Sequence, residues 1–550
     1  MYEFVSMQMV PFEWRVAAQS PVQDPYHAVD LDVIFTHETG ETFTVPMFWA
    51  REQTWCVRFS PQLIGKYTFE IVGNAPQQAA LIGHRGTLAV HAYDGEHPLR
   101  RHGPLRIETD QRYLAFADGT PFFWLGDTWW LALADRLNWP DSFQKLVEDR
   151  AQKGFTVIQI ASGLYPDMDP FDERARNEAG FMFEPGFAGI NPAYFDDADR
   201  RITTLVEAGL VPCVLGSWGY HLKMLGADQM KRYWRYLVAR WGCYPVIWSL
   251  AGELAMPYYL DEKFGTGDDP ELAIRWVEIG EYVRDIDAHQ RLITVHPSSN
   301  STGRDQVTDD TFMDFEMLQP GHDGYPSVQT MLTTLHVQRE RLPVKPVIVA
   351  EINYEEQVND SHAGVQRLAF WSAMLSGAAG FSYGANGLWA FSTPEKPWAA
   401  SPHGLTWTDA YWEDTYDLPG GRQLGLAHRL LQRFNWWRFE PHPEWVSPAA
   451  TAQTYRAMYA AGIPREVRVI YSYQPSWPWD RERKWINDLE PDIVYEALFW
   501  NPRTGAEHSI STVTADKDHR WQVPLEPTPL DWLLILYTTA SYTTEQDTSA

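Results

Sequence analysis

Between about residue 105 and residue 440, short apolar runs alternate with amphipathic stretches, and this alternation limits the fold more than any other feature. The candidate strands are Pro121–Gly126, Phe155–Ala161, Leu210–Leu215, Val246–Leu250, Leu292–His296, Phe312–Leu318, Pro346–Ala350 and Gly380–Tyr383. Helical periodicity fills most of the gaps, as in Asp141–Lys153, Asp228–Trp241 and Ala363–Ser376. Apolar runs without polar alternation suit strands buried on both faces, and a strand–helix repeat makes a parallel sheet. Eight such units over a span of this length predict a (β/α)₈ TIM barrel, an α/β fold. A doubly wound sheet is the alternative, but it wants a glycine-rich phosphate turn after its first strand. Leu125-Gly-Asp-Thr-Trp-Trp130 is no such turn.

The flanks obey a different period. Val29, Leu31, Val33 and Phe35 alternate with polar residues, and Phe43, Val45 and Met47 resume the pattern after a turn. Residues 1–98 therefore predict an N-terminal β-sandwich, followed by the basic linker Leu99-Arg-Arg-His-Gly-Pro104. Glu466–Tyr473, Tyr495–Trp500 and Trp532–Tyr537 predict a C-terminal β-sandwich over residues 441–545.

The net charge of −27 repels phosphate backbones and acidic lipid surfaces, so neither nucleic acid nor a membrane is expected as a partner. A neutral ligand fits better, and the 26 tryptophans suit the apolar C–H faces of sugar rings. Cys56, Cys213 and Cys243 give neither a disulfide framework nor zinc spacing. No signal peptide is visible and no apolar run reaches about 18 residues, so a cytoplasmic location is expected. Asp167-Met-Asp169 alone is a poor calcium signal, and neither a metal nor a cofactor is expected.

Two of the apolar strands run straight into a glutamate. Val246-Ile-Trp-Ser-Leu-Ala-Gly-Glu253 closes the fourth, and Val347-Ile-Val-Ala-Glu351 closes the seventh. The 98 residues between the two carboxylates match three strand–helix units, so both side chains should stand over one barrel mouth. Such a pair is what cleavage of a glycosidic bond needs. One carboxyl protonates the leaving oxygen, and the other attacks the sugar carbon or activates water. Further candidates at strand ends are Asp127 after the first, Trp218 and His221 after the third and His296 at the fifth. Gln319 and His322 follow the sixth, and Asn386 and Trp389 follow the eighth. Gln159, inside the second strand, is a candidate supporting donor. Asn353 or Tyr354 would keep Glu351 ionised.

The stretch Asp118-Gly-Thr-Pro-Phe-Phe-Trp-Leu-Gly-Asp-Thr-Trp-Trp130, with Arg150-Ala-Gln-Lys-Gly-Phe-Thr-Val-Ile-Gln159, resembles the apiosidase-like catalytic family, within the clan of retaining (β/α)₈ glycoside hydrolases. Phe12-Glu-Trp-Arg15 and Val45-Pro-Met-Phe-Trp49 resemble the β-sandwich that often precedes that barrel. Trp436-Trp-Arg-Phe-Glu-Pro441, Phe499-Trp-Asn-Pro-Arg-Thr-Gly505 and Asp531-Trp-Leu-Leu-Ile-Leu536 are similar to the domain that often follows it, commonly labelled a collagen-binding module. The resemblance implies that Glu253 is the general acid/base and Glu351 the nucleophile. The wider clan carries Asn before the acid/base, contacting the sugar 2-hydroxyl, whereas this chain carries Gly252.

The leading expectation is thus a retaining glycoside hydrolase, exo-acting on short oligosaccharides or glycosides. The alternatives are an inactive carbohydrate- or matrix-binding protein and a transglycosylase using the same glutamates. The two flanking β domains offer surface enough for a homo-oligomer.

Overall fold

The computed structural model describes residues 2–257, 269–358, 361–398, 407–477, 479 and 483–541. At the N-terminus a five-stranded sheet (spatial order Tyr2–Met7, Arg85–His91, Gly65–Asn74, Asp30–His37, Thr42–Pro46) faces a three-stranded one (Phe12–Ala17, Thr54–Phe59, Phe48–Arg51). Every second residue of Asp30–His37 is buried, as the alternation in the sequence requires. Val33, Phe35, Val57, Phe59 and Ile71 meet between the sheets, with the Phe35 and Phe59 rings stacked at 4.3 Å.

This sandwich is fastened to the central unit by buried charge. Arg58 donates to Asp199 (2.7 Å) and to Glu13 (2.8 Å), while Arg240 donates to Asp199 from the other side (2.9 Å). Burial alone would raise the Asp199 pKa, but the two guanidiniums outweigh it and hold the carboxyl below its ordinary value.

The central sheet curls on itself. Its parallel strands are β1 (Trp124–Thr128), β2 (Val157–Ala161), β3 (Val211–Leu215), β4 (Ile247–Ser249), β5 (Ile293–Thr294), β6 (Glu316–Gln319), β7 (Val347–Val349) and β8 (Gly380–Tyr383). β1 pairs in parallel with both β2 and β8, so the first and last strands of the series are neighbours. The sheet order runs from β5 through β1 and β8 to β6, with Ser301–Thr302 antiparallel on the outer edge of β6. At that seam Asp314 N–H donates to Ile293 O (2.8 Å) and the Thr294 hydroxyl to Phe315 O (3.0 Å).

Seven helices of thirteen residues or more accompany these strands among the described residues: α1 (Asp141–Lys153), α2 (Pro192–Glu207), α3 (Ala227–Trp241), α4 (Pro270–Ile286), α5 (Tyr325–Glu340), α6 (Ala363–Leu375) and α7 (Pro419–Leu431). α1 spans the residues expected and stops at Gly154, whose φ of +86° suits a glycine. α3 buries Met230, Tyr233, Trp234, Leu237, Val238 and Trp241, and on its other side Tyr236, Ala239 and Arg240, so its C-terminal half is covered all round. The connection from β5 to β6 carries no long helix. It holds only Ser301–Thr302 and a 3₁₀ turn, Gly303–Asp305, and this is where the sheet has its seam.

At the C-terminus a six-stranded sheet lays one face, with Tyr471, Trp500, Leu533 and Ile535, into the central core. Its other face meets a three-stranded sheet across Ile470, Phe499, Trp532 and Leu534. Cys56, Cys213 and Cys243 are free and buried. Among the described residues no helix is long and apolar enough to cross a membrane.

Candidate active site

Glu253 and Glu351 come together at the C-terminal ends of β4 and β7. Beyond β4 the pairing with the β3 side continues through Gly252 N–H to Ser217 O (2.8 Å) and Gly219 N–H to Gly252 O (2.9 Å). The next residue, Glu253, has a φ of +46°, a left-handed conformation that a residue with a side chain adopts only when its surroundings hold it there. Gly252 has a packing reason. A Cβ there would stand 2.7–2.9 Å from the Trp218 ring, so the absent side chain is what lets the indole lie against this backbone. From that position Trp218 Nε1 donates to Glu253 Oε2 (3.0 Å).

One nitrogen touches both carboxylates. Gln319 Nε2 lies 3.2 Å from Glu253 Oε1 and 3.3 Å from Glu351 Oε1. The two oxygens are therefore no more than about 6.5 Å apart, the sum of those bonds. His322 Nε2 also bonds Glu351 Oε1, at 2.8 Å. Because Tyr354 N–H donates to His322 Nδ1 (3.4 Å), the ring proton belongs on Nε2, and the histidine is the donor to the carboxylate. His296 stands on the other oxygen, its Nε2 3.4 Å from Glu351 Oε2. Its Nδ1 faces the Pro297 carbonyl, which can only accept. In the neutral ring Nε2 therefore turns a lone pair toward Oε2, and Oε2 receives no hydrogen bond among the described residues.

The two carboxyls are pushed in opposite directions. Burial raises Glu253 most, the neighbouring Glu351 charge adds to it, and the bonds from Trp218 and Gln319 offset only part. The result is a pKa of about 7. Burial also presses Glu351 upward, but the hydrogen bond from His322, helped by Tyr354, outweighs it and holds the group below the ordinary glutamate value. One carboxyl that keeps its proton near neutrality beside one that does not is the division of labour between an acid and a nucleophile.

Around them Trp130 stands edge-on to Trp218 (5.5 Å) and to His296 (5.3 Å). It was not among the residues singled out, although it ends the Leu-Gly-Asp-Thr-Trp-Trp segment. Tyr354 packs edge-on to His322 at 4.7 Å, over Gly384, where a Cβ would strike its ring at 2.2 Å. Trp389 meets Trp398 at 5.0 Å.

Four expectations need correction. Asp127 does not face a ligand. It is fully buried, with Oδ1 taken by Thr128 N–H (2.9 Å) and Oδ2 by Trp129 Nε1 (2.7 Å) and Arg150 Nε (2.6 Å). Asn386 spends its amide on Glu356 O (2.7 Å), Asp409 (2.8 Å) and the Thr408 hydroxyl (2.5 Å), tying loops together. His221 lies behind Trp218, its Nδ1 on the Trp218 backbone (3.1 Å), and burial pushes its pKa down to about 3. Asn353 bonds the Gly324 backbone, not Glu351, and His322 and Gln319 are the donors instead. Gln159 bonds Thr128 (3.2 Å) and the Ala350 carbonyl (2.9 Å), behind the strand that delivers Glu351.

Comparison with known proteins identifies the family and the fold. Residues 108–438 match the apiosidase-like catalytic domain family, and residues 7–74 match a domain of unknown function, DUF5060. No curated protein matches the chain. Among solved structures, a family 5 glycoside hydrolase from Bacteroides vulgatus ATCC 8482 superposes with a TM-score of 0.66 at 21% identity, covering 81% of this chain and 95% of its own. A candidate glycoside hydrolase from the same strain gives 0.69 at 16% identity, covering 98% and 100%. A third glycoside hydrolase gives 0.63 at 20%, covering 80% and 98%. At these identities the likeness is one of fold, the curled sheet of a glycoside hydrolase barrel with β domains beside it. The family match spans most of the chain: the protein belongs to the family with the apiosidase-like catalytic domain and is a glycosidase.

Proposed function

We propose that the protein hydrolyses glycosides with retention of anomeric configuration, Glu351 acting as nucleophile and Glu253 as acid and then base. The observation that carries this is the shared donor. The two N–H bonds of one amide diverge by about 120°, so straight donation to both glutamates sets the accepting oxygens about 5.6 Å apart, nearer the retaining spacing than the inverting one. Retaining enzymes hold their carboxyls about 5–5.5 Å apart and inverting ones about 6.5–9.5 Å. In this reading the sheet closes as a (β/α)₈ barrel over residues 105–440, with 1–98 and 441–545 as its β flanks.

Glu351 Oε1 carries the donors and Oε2 carries none, so Oε2 is the attacking oxygen. It bonds to the anomeric carbon as the glycosidic C–O bond breaks, and the departing oxygen takes the Glu253 proton. With Glu351 esterified, its charge no longer holds the Glu253 proton in place. Glu253 is then the base that deprotonates water, whose oxygen displaces Glu351 and restores it as a carboxylate. Glu351 is only 6% exposed and Gln319 2%, which suits a pocket for one terminal sugar, hence exo action on short oligosaccharides or glycosides.

The test is a panel of chromogenic glycosides that includes furanosides, with the first-formed product anomer read by NMR. Retention is expected, and an inverted first product would remove Glu351 as nucleophile. Binding without turnover across the panel would favour an inactive carbohydrate-binding protein instead. A second test concerns Gly252. Gly252→Asn puts a side chain where the Trp218 ring lies, so kcat/KM should fall on the order of a hundredfold from misplacement of the acid. Trp218→Phe, which keeps a ring and removes the N–H, should lose less. Unchanged kcat/KM in Gly252→Asn would mean that the indole does not position Glu253.

A further inference from the structure

Gln319 ends β6 and is held there by its backbone. Its carbonyl accepts from Asn300 N–H at 2.7 Å, and it sits opposite Ser301 in the antiparallel pair at the seam. The orientation of its side chain follows from its neighbours. Glu351 is ionised and its oxygens only accept, so the end of the amide that lies between the two glutamates is the NH₂. The other end, Oε1, is buried without a hydrogen-bond partner. Such an orphan is destabilising, and a methionine or leucine would fill the same space without it. A barrel packed for stability alone has no use for that amide.

We propose that Gln319 is a positioning residue that sets the gap between the two catalytic carboxylates and follows the charge as it moves between them. This rests on the two-carboxylate reading above. At rest the negative charge is on Glu351. In the glycosyl-enzyme it is on Glu253, which has given up its proton. A donor bonded to only one of them would favour one end of the step. A single nitrogen with a hydrogen on each favours whichever is ionised, and nothing has to reorganise between the two states. The other groups facing the pair do not share this symmetry. His322 and Tyr354 approach Glu351 from the β6 and β7 ends and His296 approaches it from β5, while Trp218 approaches Glu253 from β3. Of the described residues, Gln319 alone is hydrogen-bonded to both.

The variant that tests this is Gln319→Met in the full chain, with its fold checked by circular dichroism and melting temperature. Two readouts are needed. The first is the pH profile of kcat/KM on a glycoside that the wild type hydrolyses. The second needs no substrate: the carboxylic-acid C=O stretch of Glu253, identified as the band missing in Glu253→Gln, followed against pH in the ligand-free protein. Both carboxylates lose a donor, so both limbs of the profile and the Glu253 band should move to higher pH by about half a unit or more. kcat should fall by about a hundredfold. A folded Gln319→Met protein with an unmoved Glu253 band overturns the proposal, whatever its rate. If that band moves while the wild type turns over no glycoside, the spacing role stands and the hydrolase reading falls. If the wild type hydrolyses with retention while the band and both limbs stay put in the variant, the reverse holds.

Discussion

Glu351→Gln is expected to lose glycoside turnover by about 10⁴-fold or more in kcat while keeping its melting temperature. The amide has nearly the shape of the carboxylate, so the packing of Tyr354, His296 and His322 around it is preserved. It lacks the charge that attacks the anomeric carbon and the charge that helps raise Glu253. The smaller variant Glu351→Ala adds a sharper discriminator. It opens a space on the nucleophile side, and a small anion such as azide admitted there attacks from the face that Glu351 used. The glycosyl azide formed should have the anomeric configuration opposite to that of the substrate. A general base would stand on the same face, so this product assigns Glu351 as nucleophile only together with a wild-type first product of retained configuration. Turnover in Glu351→Gln within about tenfold of wild type would remove Glu351 from the chemistry altogether.

The placement of the two glutamates was legible because it depends on periodicity alone. Eight strand–helix units put Glu253 and Glu351 three units apart at one end of the sheet, and the structure has them on one shared donor. α1 was legible for a similar reason, since its apolar stripe and Gly154 are local signals. What the sequence hid depends on which way a side chain turns. Asp127 looks the same in the sequence whether it points at a ligand or at Arg150, and only the fold brings Arg150 behind it. Gly252 read as the loss of a clan asparagine. Its reason is the Trp218 ring, from a different strand, occupying that space. β5 shrank to Ile293–Thr294, because an apolar run does not reveal where its partner stops pairing. With no long helix between β5 and β6, that edge is held by a few bonds, not by a full ladder.

The acid should reveal itself through the leaving group. In Glu253→Gln no proton is available to the departing oxygen, so the first step should fail in proportion to how basic that oxygen is. Alkyl glycosides should lose about a thousandfold or more, whereas nitrophenyl glycosides, whose phenolate leaves unaided, should lose little in the first step. The second step also needs Glu253, as base. With nitrophenyl substrates the variant should therefore give a burst of phenol followed by slow turnover, and intact mass spectrometry should find the glycosyl-enzyme. The pH profile carries the same assignment with a definite sign. In the wild type kcat/KM should fall as pH rises through about 7, where Glu253 loses its proton, and fall in acid only below the ordinary glutamate range, where Glu351 gains one. In Glu253→Gln the alkaline limb should vanish and the acid limb remain. Persistence of the alkaline limb, or equal losses for alkyl and nitrophenyl substrates, would assign the acid to another residue, and then the bonds from Trp218 and Gln319 would need a different explanation.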